Sequence, residues 1–591
     1  MKQFFGAFFG SCLGILLTGI IITLIAIASI SNLVTDAISM KDGKRFTSKA
    51  NSVLKVDLNG DIHERSVKNP FGEMDLGPFV PKGTIGLDDV LASIKEAKTD
   101  NNIKGIYLEV SNPTAGFATL EEVRNALLDF KTSRKFIYAY SEGYSQKGYY
   151  LATTASNLYL NPEGGLEIKG LSSQMMFYKK MLEKLDMEVQ IFRHGKFKSA
   201  IEPFMLDKMS EANRAQVETY LGSLWGQMTL GISKTRDIPV DEINAMADNL
   251  SIRSTRDALN YKLVDELKYE DEVFSEIKKN IKIKDSEKIN FVSLKDYADS
   301  YTDSKLSKNR IAVIYAVGEI NSGDGGEQSI GSERLVKAIK EARLDKNVKA
   351  IVLRVNSPGG SALASDVIWR ETVLAQKAKP FIVSMGDVAA SGGYYISCAA
   401  DRIFAQPNTI TGSIGVFGMI PNAQKALSEK LGITIDTVNT NKHSDVGTIL
   451  RKASPEEYEY IQQSVEHIYD VFITKVAAGR KTTKNNIDSI GQGRVWSGTD
   501  AIKINLVDEL GGINDAIAYA AKQAKLKDYK VLSLPKQKDP IQELLGNTKD
   551  DVEARVMKNN LGEQYLYMKH LKNVLTLKGV QARLPYEMII N

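Results

Sequence analysis

Apolar and polar positions alternate along this chain in two recurring lengths. From Asn51 onward, apolar runs of strand length are followed by amphipathic runs of helix length, beginning with Val53-Leu54-Lys55-Val56-Asp57-Leu58 and the turn residues Asn59-Gly60. Strand and helix in regular succession predict a parallel sheet with crossover helices, that is, an α/β protein. Between about Ile283 and Asn309 the chain turns polar, with Ser304-Lys305-Leu306-Ser307-Lys308 at its centre, and a linker is expected over 291–309. Ile311-Ala312-Val313-Ile314-Tyr315 then starts the pattern again.

The restart is an internal repeat. Asn102-Ile103-Lys104-Gly105-Ile106-Tyr107-Leu108-Glu109-Val110 matches Asn347-Val348-Lys349-Ala350-Ile351-Val352-Leu353-Arg354-Val355 at an offset of 245 positions. That offset also carries Pro113 onto Pro358, Gly148-Tyr149-Tyr150 onto Gly393-Tyr394-Tyr395, and Gly170 onto Gly415. One fold is therefore expected twice, over 46–290 and 310–535. Residues 536–591 lie beyond the repeat, with a helix-like piece over 544–558 that suits packing or assembly.

Ahead of the repeats, Phe4 to Ile30 holds no charged residue over 27 positions. As a helix this run spans roughly 40 Å, enough for the hydrocarbon core with tilt. It is too long for the apolar part of a cleaved signal peptide, so residues 1–45 are expected to be a membrane anchor. Only Lys2 precedes the run, whereas Lys41, Lys44, Arg45 and Lys49 follow it. Counting positive charges would leave the body in the cytoplasm, but that rule weakens for large downstream domains.

Composition changes this picture by exclusion. At 591 residues the chain exceeds one core, and a formal net charge of +4 with no basic run among aromatics gives no reason to expect nucleic acid. The two cysteines, Cys12 and Cys398, fall in apolar surroundings, which excludes a disulfide framework. The five histidines are scattered without metal-binding spacing, so no metal and no cofactor are expected.

The candidate chemistry lies in the second repeat. Pro380-Phe381-Ile382-Val383-Ser384-Met385 reads as a buried strand, Gly392 to Ala400 as a buried helix, and Ser391 falls at their junction. Unpaired N–H groups at a helix start favour developing negative charge, so a serine there has an oxyanion site as neighbour. A second turn, Asn356-Ser357-Pro358-Gly359-Gly360-Ser361, joins the strand Ala350–Val355 to a helix from Ala362 to about Ala378. Without Cβ atoms its glycines can aim N–H groups into a cavity. In the first repeat, Gln146 stands at the position of Ser391 and Pro113-Thr114-Ala115 at that of Pro358-Gly359-Gly360. A serine nucleophile needs a base. His443 and His467 stand in polar surroundings, while Lys198 of the first repeat falls opposite His443 or Ser444, depending on a one-residue gap.

Lys198-Ser199-Ala200-Ile201-Glu202-Pro203-Phe204 in one half, with S-P-G-G, A-S-G-G-Y and Thr411-Gly412-Ser413-Ile414-Gly415 in the other, resembles the signal peptide peptidase A family in its long, two-domain form. The likeness extends to Gly493-Arg494-Val495-Trp496-Ser497-Gly498 and Leu506-Val507-Asp508-Glu509-Leu510-Gly511. It implies a Clp-protease/crotonase-like fold and a membrane-anchored serine protease whose Ser–Lys dyad is split between the repeats. Ser391 would be the nucleophile, Lys198 the general base, and Ser413 the hydroxyl that holds the lysine amine. Gly360 and Gly392 would supply the oxyanion hole, with Gly359 or Gly393 able to replace either. To accept a proton near neutrality Lys198 needs a dry pocket. Phe197, Ile201, Pro203 and Phe204 offer one; Lys196 and Arg193 would add like charge if they turned inward, and Glu202 would oppose. The resemblance further implies apolar peptide substrates, chiefly signal-peptide remnants, a homotetramer, and a body on the periplasmic side of the bacterial inner membrane. Two other readings share the fold: a crotonase-like acyl-CoA enzyme and a non-catalytic membrane scaffold.

Overall fold

The computed structural model describes residues 48–66, 85–301, 307–537 and 580–584. The expected membrane helix over 4–30 lies outside them, as does the helix-like piece over 544–558. Among the described residues no helix is long and apolar enough to cross a membrane.

Two sheets with the same strand order form the frame. The first runs Asn290–Ser293, Ser52–Asp57, Ile103–Glu109, Phe136–Tyr144, Asn157–Leu166 and Glu266–Leu267, every neighbour parallel. The second repeats it, from the edge strand Lys530–Leu534 through Arg310–Val317, Val348–Ser357 and Phe381–Ala390 to Arg402–Ala405 and Glu509–Leu510. Helices Leu87–Thr99 and Phe117–Lys131 of the first repeat recur as Ser332–Leu344 and Ala362–Ala378, each starting 245 positions on. The central strands read as largely apolar runs because helices cover both faces, as parallel sheets require. Ile351, Val352, Leu353 and Val355 are all fully buried.

Three expectations change in detail. The stretch after residue 290 is not a bare linker: Asn290–Ser293 pairs in parallel with Ser52–Asp57, and Leu294–Tyr301 is helical. Its polarity is that of an edge strand and a surface helix, half open to water. Strand Phe381–Ala390 continues well past Met385, through Gly386 and Asp387. Asp387 is polar because it reaches the other repeat, accepting from Thr119 N at 2.9 Å and Thr119 Oγ1 at 2.6 Å. The following helix, Gly392–Ser397, stops short of Ala400.

A third sheet joins the repeats. Its six strands run Ser329–Gly331, Glu319–Asn321, Gly359–Ser361, Gln581–Arg583, Phe417–Asn422 and Glu188–Arg193. Glu188–Arg193 comes from the first repeat and lies antiparallel to Phe417–Asn422 of the second, with Arg193 opposite Phe417. That pairing delivers the chain just beyond Arg193, and with it Lys198, to the loop that follows Gly412.

Candidate active site

Ser391 sits at the top of strand Phe381–Ala390, immediately before helix Gly392–Ser397. Its backbone holds φ 55° and ψ −113°. A side chain seldom tolerates that conformation, at a cost on the order of 1–3 kcal/mol, so the surroundings must enforce it. They do: Ser391 N donates to Gly412 O at 2.8 Å, and Ser391 O accepts from Tyr395 N at 2.8 Å. The bend turns Ser391 Oγ away from the sheet, to within 3.3 Å of Gly415 O.

Lys198 arrives from the other repeat, at the start of the 3-10 turn Ser199–Ile201. Its Nζ lies 2.9 Å from Ser391 Oγ, 3.1 Å from Ser413 Oγ and 3.2 Å from Ser413 O. Lys198, Ser391 and Ser413 are each 0% exposed. Burial pushes the Lys198 amine well below its usual range, since removal from water penalises the charged form and no carboxylate offsets it. Glu202 does not oppose the shift, being occupied by Ser210 N, Ser210 Oγ and Asn213 Nδ2. Lys196 is turned to the Phe197 ring, 5.2 Å from its centroid. Of the apolar neighbours named from the sequence, Ile201 and Phe204 pack together in one buried cluster.

The two glycine turns converge on the same place. A Cβ on Gly359 would stand 2.7 Å from Gly392 N, so the backbones of both turns meet. Gly359 N donates to Ser357 Oγ at 3.1 Å, which leaves Gly360 N as the donor of that turn facing outward along the third sheet. Gly359 and Gly360 have φ 96° and 157°. His443 is held elsewhere, its Nδ1 3.1 Å from Glu457 Oε1 beside Arg451. In the first repeat the corresponding corner is filled: Gln146 Nε2 donates to Gly170 O at 2.9 Å, and Lys147 Nζ to Ala115 O at 2.9 Å.

The profile of Peptidase family S49 matches residues 129–284 and 374–527, one stretch in each repeat. The chain belongs to peptidase family S49. Protease 4 of Salmonella typhi is 40% identical over 502 residues, covering 83% of this chain and 81% of that protein. Protease 4 of Haemophilus influenzae is 35% identical over 528 residues, covering 85% and 83%. Serine protease SPPA, chloroplastic, of Arabidopsis thaliana is 31% identical over 541 residues, covering 90% and 77%. This S49 protein is a serine protease, and the acyl-CoA and scaffold readings fall away with that finding.

Sequence reasoning about the S49 site missed three residues, two that hold the lysine stretch and one that holds the glycine turn. A Cβ on Gly493 would stand 2.6 Å from Lys198 N and 2.7 Å from Lys198 Cα, so the G-R-V-W-S-G stretch presses bare backbone against the lysine. Gln216, on helix Glu211–Arg236, donates to Phe197 O at 3.2 Å and Ser199 Oγ at 3.0 Å and accepts from Val495 N at 3.2 Å. Ser357 fixes Gly359, as described. Gly493 carried a signal as a glycine beside a family motif; Gln216 carried none, being one polar residue on a long helix. Cys398 is free and buried, and among the described residues no cluster of His, Cys, Asp and Glu is placed to hold a metal.

Proposed function

We propose that this chain is an endopeptidase working by a Ser391–Lys198 dyad split between its repeats. The observation that carries the reading is the 2.9 Å approach of Lys198 Nζ to Ser391 Oγ in a site with no exposure to water. A neutral amine has one lone pair and two hydrogens. Its lone pair takes the Ser391 proton while its hydrogens donate to Ser413 Oγ and Ser413 O, which accounts for all three contacts of Nζ. Ser391 Oγ then attacks the scissile carbonyl, and N–H groups of Gly360 and Gly392 stabilise the oxyanion. The ammonium returns its proton to the leaving amine, and water, deprotonated by the same lysine, resolves the acyl-enzyme. Ser413 keeps the amine on line throughout.

The finer reading of fold and context follows the family resemblance. Each repeat takes the Clp-protease/crotonase-like form, and residues 4–30 anchor the chain in the inner membrane with its body on the periplasmic side. Substrates are apolar peptides, chiefly signal-peptide remnants left in that membrane, where tethering raises their local concentration. Four copies assemble. Light scattering in detergent tests the assembly, with a fully active monomer as the contrary result; protease protection of the body in intact spheroplasts would reverse the orientation.

The dyad is tested by hydrolysis of short apolar fluorogenic peptides. Parent protein should cleave them, and Ser391→Ala and Lys198→Ala should each lose activity by orders of magnitude while staying folded. Intact turnover in Ser391→Ala would overturn the assignment, and loss in that variant alone would place the base elsewhere.

A further inference from the structure

One strand of the third sheet comes from far along the chain. Gln581–Arg583 lies between Gly359–Ser361 and Phe417–Asn422 and so separates two strands that would otherwise face each other across an open gap. It runs antiparallel to the glycine turn, with Gly359 opposite Arg583, Gly360 opposite Ala582 and Ser361 opposite Gln581. On its other side Gln581 is opposite Phe417.

The register places one carbonyl with some accuracy. Leu584 N donates to Pro358 O at 2.6 Å, and Ala362 N donates to Val580 O at 3.4 Å. Hydrogen-bonded pairs in an antiparallel ladder recur at every second residue, so Gly360 and Ala582 form the bonded pair between those two. Ala582 O therefore accepts from Gly360 N. A Cβ on Gly359 would stand 2.1 Å from Ala582 O, and one on Gly392 would stand 2.9 Å from it. This oxygen thus lies among Gly359, Gly360 and Gly392, where the proposed mechanism puts the oxyanion. Ala582 is fully buried, and Arg583 Nη1 ties the strand down at 3.0 Å from Glu319 Oε1.

We propose that Val580–Leu584 is a competitor built into the chain, lying in the peptide-binding groove as a substrate would. An extended peptide added between two strands is recognised mainly by its backbone, which lets the chain's own segment imitate a substrate. Ala582 takes the acyl position, Val580 lies two residues before it, and the Ala582–Arg583 bond is the one presented to Ser391. A substrate must displace the segment to bind. Because the segment is tethered to the groove it occupies, it competes at an effective concentration rather than a bulk one, and pairing whose affinity equals that concentration raises KM about twofold. The rate of the bound substrate is untouched. This inference rests on the dyad reading above.

The test uses the full chain and breaks the tie at Arg583. Arg583→Glu and Glu319→Arg should each lower KM for a fluorogenic peptide with kcat unchanged, and the double variant, which restores the pair with its charges exchanged, should return KM to the parental value. Synthetic Val-Gln-Ala-Arg-Leu added to Arg583→Glu should raise KM competitively. Equal KM in all four proteins, with hydrolysis proceeding, overturns the competitor while leaving the dyad intact. If no peptide is hydrolysed by any of them, the dyad reading fails and binding decides separately: a fluorescent peptide of residues 578–586 should bind Arg583→Glu more tightly than the parent by anisotropy, and equal binding overturns the proposal.

Discussion

Lys198 is buried with no carboxylate at hand, and that alone determines how it titrates. Desolvation lowers its pKa in the folded protein below the unfolded value near 10.5. Between the lowered value and 10.5 the unfolded chain binds the extra proton, so stability rises with pH across that window, and the penalty is complete below it. Lys198→Met removes the penalty. This variant should be inactive yet more stable than the parent at pH 7, with a margin that shrinks towards pH 10; denaturant unfolding at both values reads the margin, and an equal margin would contradict a neutral lysine. With Lys198 as the proposed base, kcat/KM should rise with pH through a single ionisation below the ordinary lysine range, and Lys198→Arg, which cannot be deprotonated, should abolish activity. In the proposed mechanism Ser413 Oγ, 3.1 Å from Nζ, keeps the amine on line rather than taking the proton. Ser413→Ala should therefore slow turnover by about a hundredfold at most, the effect of a misplaced group, and leave the enzyme measurably active.

At the scale of elements, the proposed dyad depends on how helix Glu211–Arg236 and strand Val495–Ser497 clamp the turn that carries Lys198. Gln216 spans them with one side chain, donating to Phe197 O and Ser199 Oγ and accepting from Val495 N. Gln216→Met keeps the shape and removes every bond. We expect kcat to fall about tenfold for each 1.4 kcal/mol of positioning lost, with KM nearly constant and the pH profile in place. A change confined to KM would show that Gln216 serves the substrate instead. Much of the frame around this clamp was legible in the sequence, since an offset of 245 positions is independent of any one strand assignment and survives errors in each. Ser391 and the glycine turns were legible because strand–turn–helix junctions have a strong local pattern. The partners of Lys198 were not, because Gln216, Gly493 and Ser357 act across distances that no periodicity records. Residues 291–293 of strand Asn290–Ser293 passed for linker because an edge strand is half polar, and Gln581–Arg583 escaped because three residues show no alternation.

At the scale of the whole molecule, the two repeats are bound by a buried charge that neither could carry alone. Arg354, fully buried on strand Val348–Ser357, meets Glu64 at 2.8 Å and Glu122 at 2.7 Å, both from the first repeat. Glu64 also accepts from Asn356 Nδ2 at 2.9 Å, and Asn356 Oδ1 accepts from Val388 N at 3.1 Å, three residues before Ser391. Glu122 accepts from Ile513 N at 2.8 Å. Arg354→Met strands two carboxylates in the interior and should lower stability by about 3–5 kcal/mol, read from the denaturant midpoint. Replacing all three with apolar residues of similar volume is often neutral elsewhere, because the desolvation penalty disappears with the charges. Here it should not be. The triple variant Glu64→Leu, Glu122→Leu, Arg354→Met leaves Asn356 Nδ2 and Ile513 N without acceptors, each at about 1–3 kcal/mol. It should therefore recover only part of the loss, and activity should stay depressed because Asn356 no longer has a fixed side chain to hold Val388. Full recovery of both would mean that the triad adds nothing to the nucleophile's position, and that the third sheet alone aligns the two repeats.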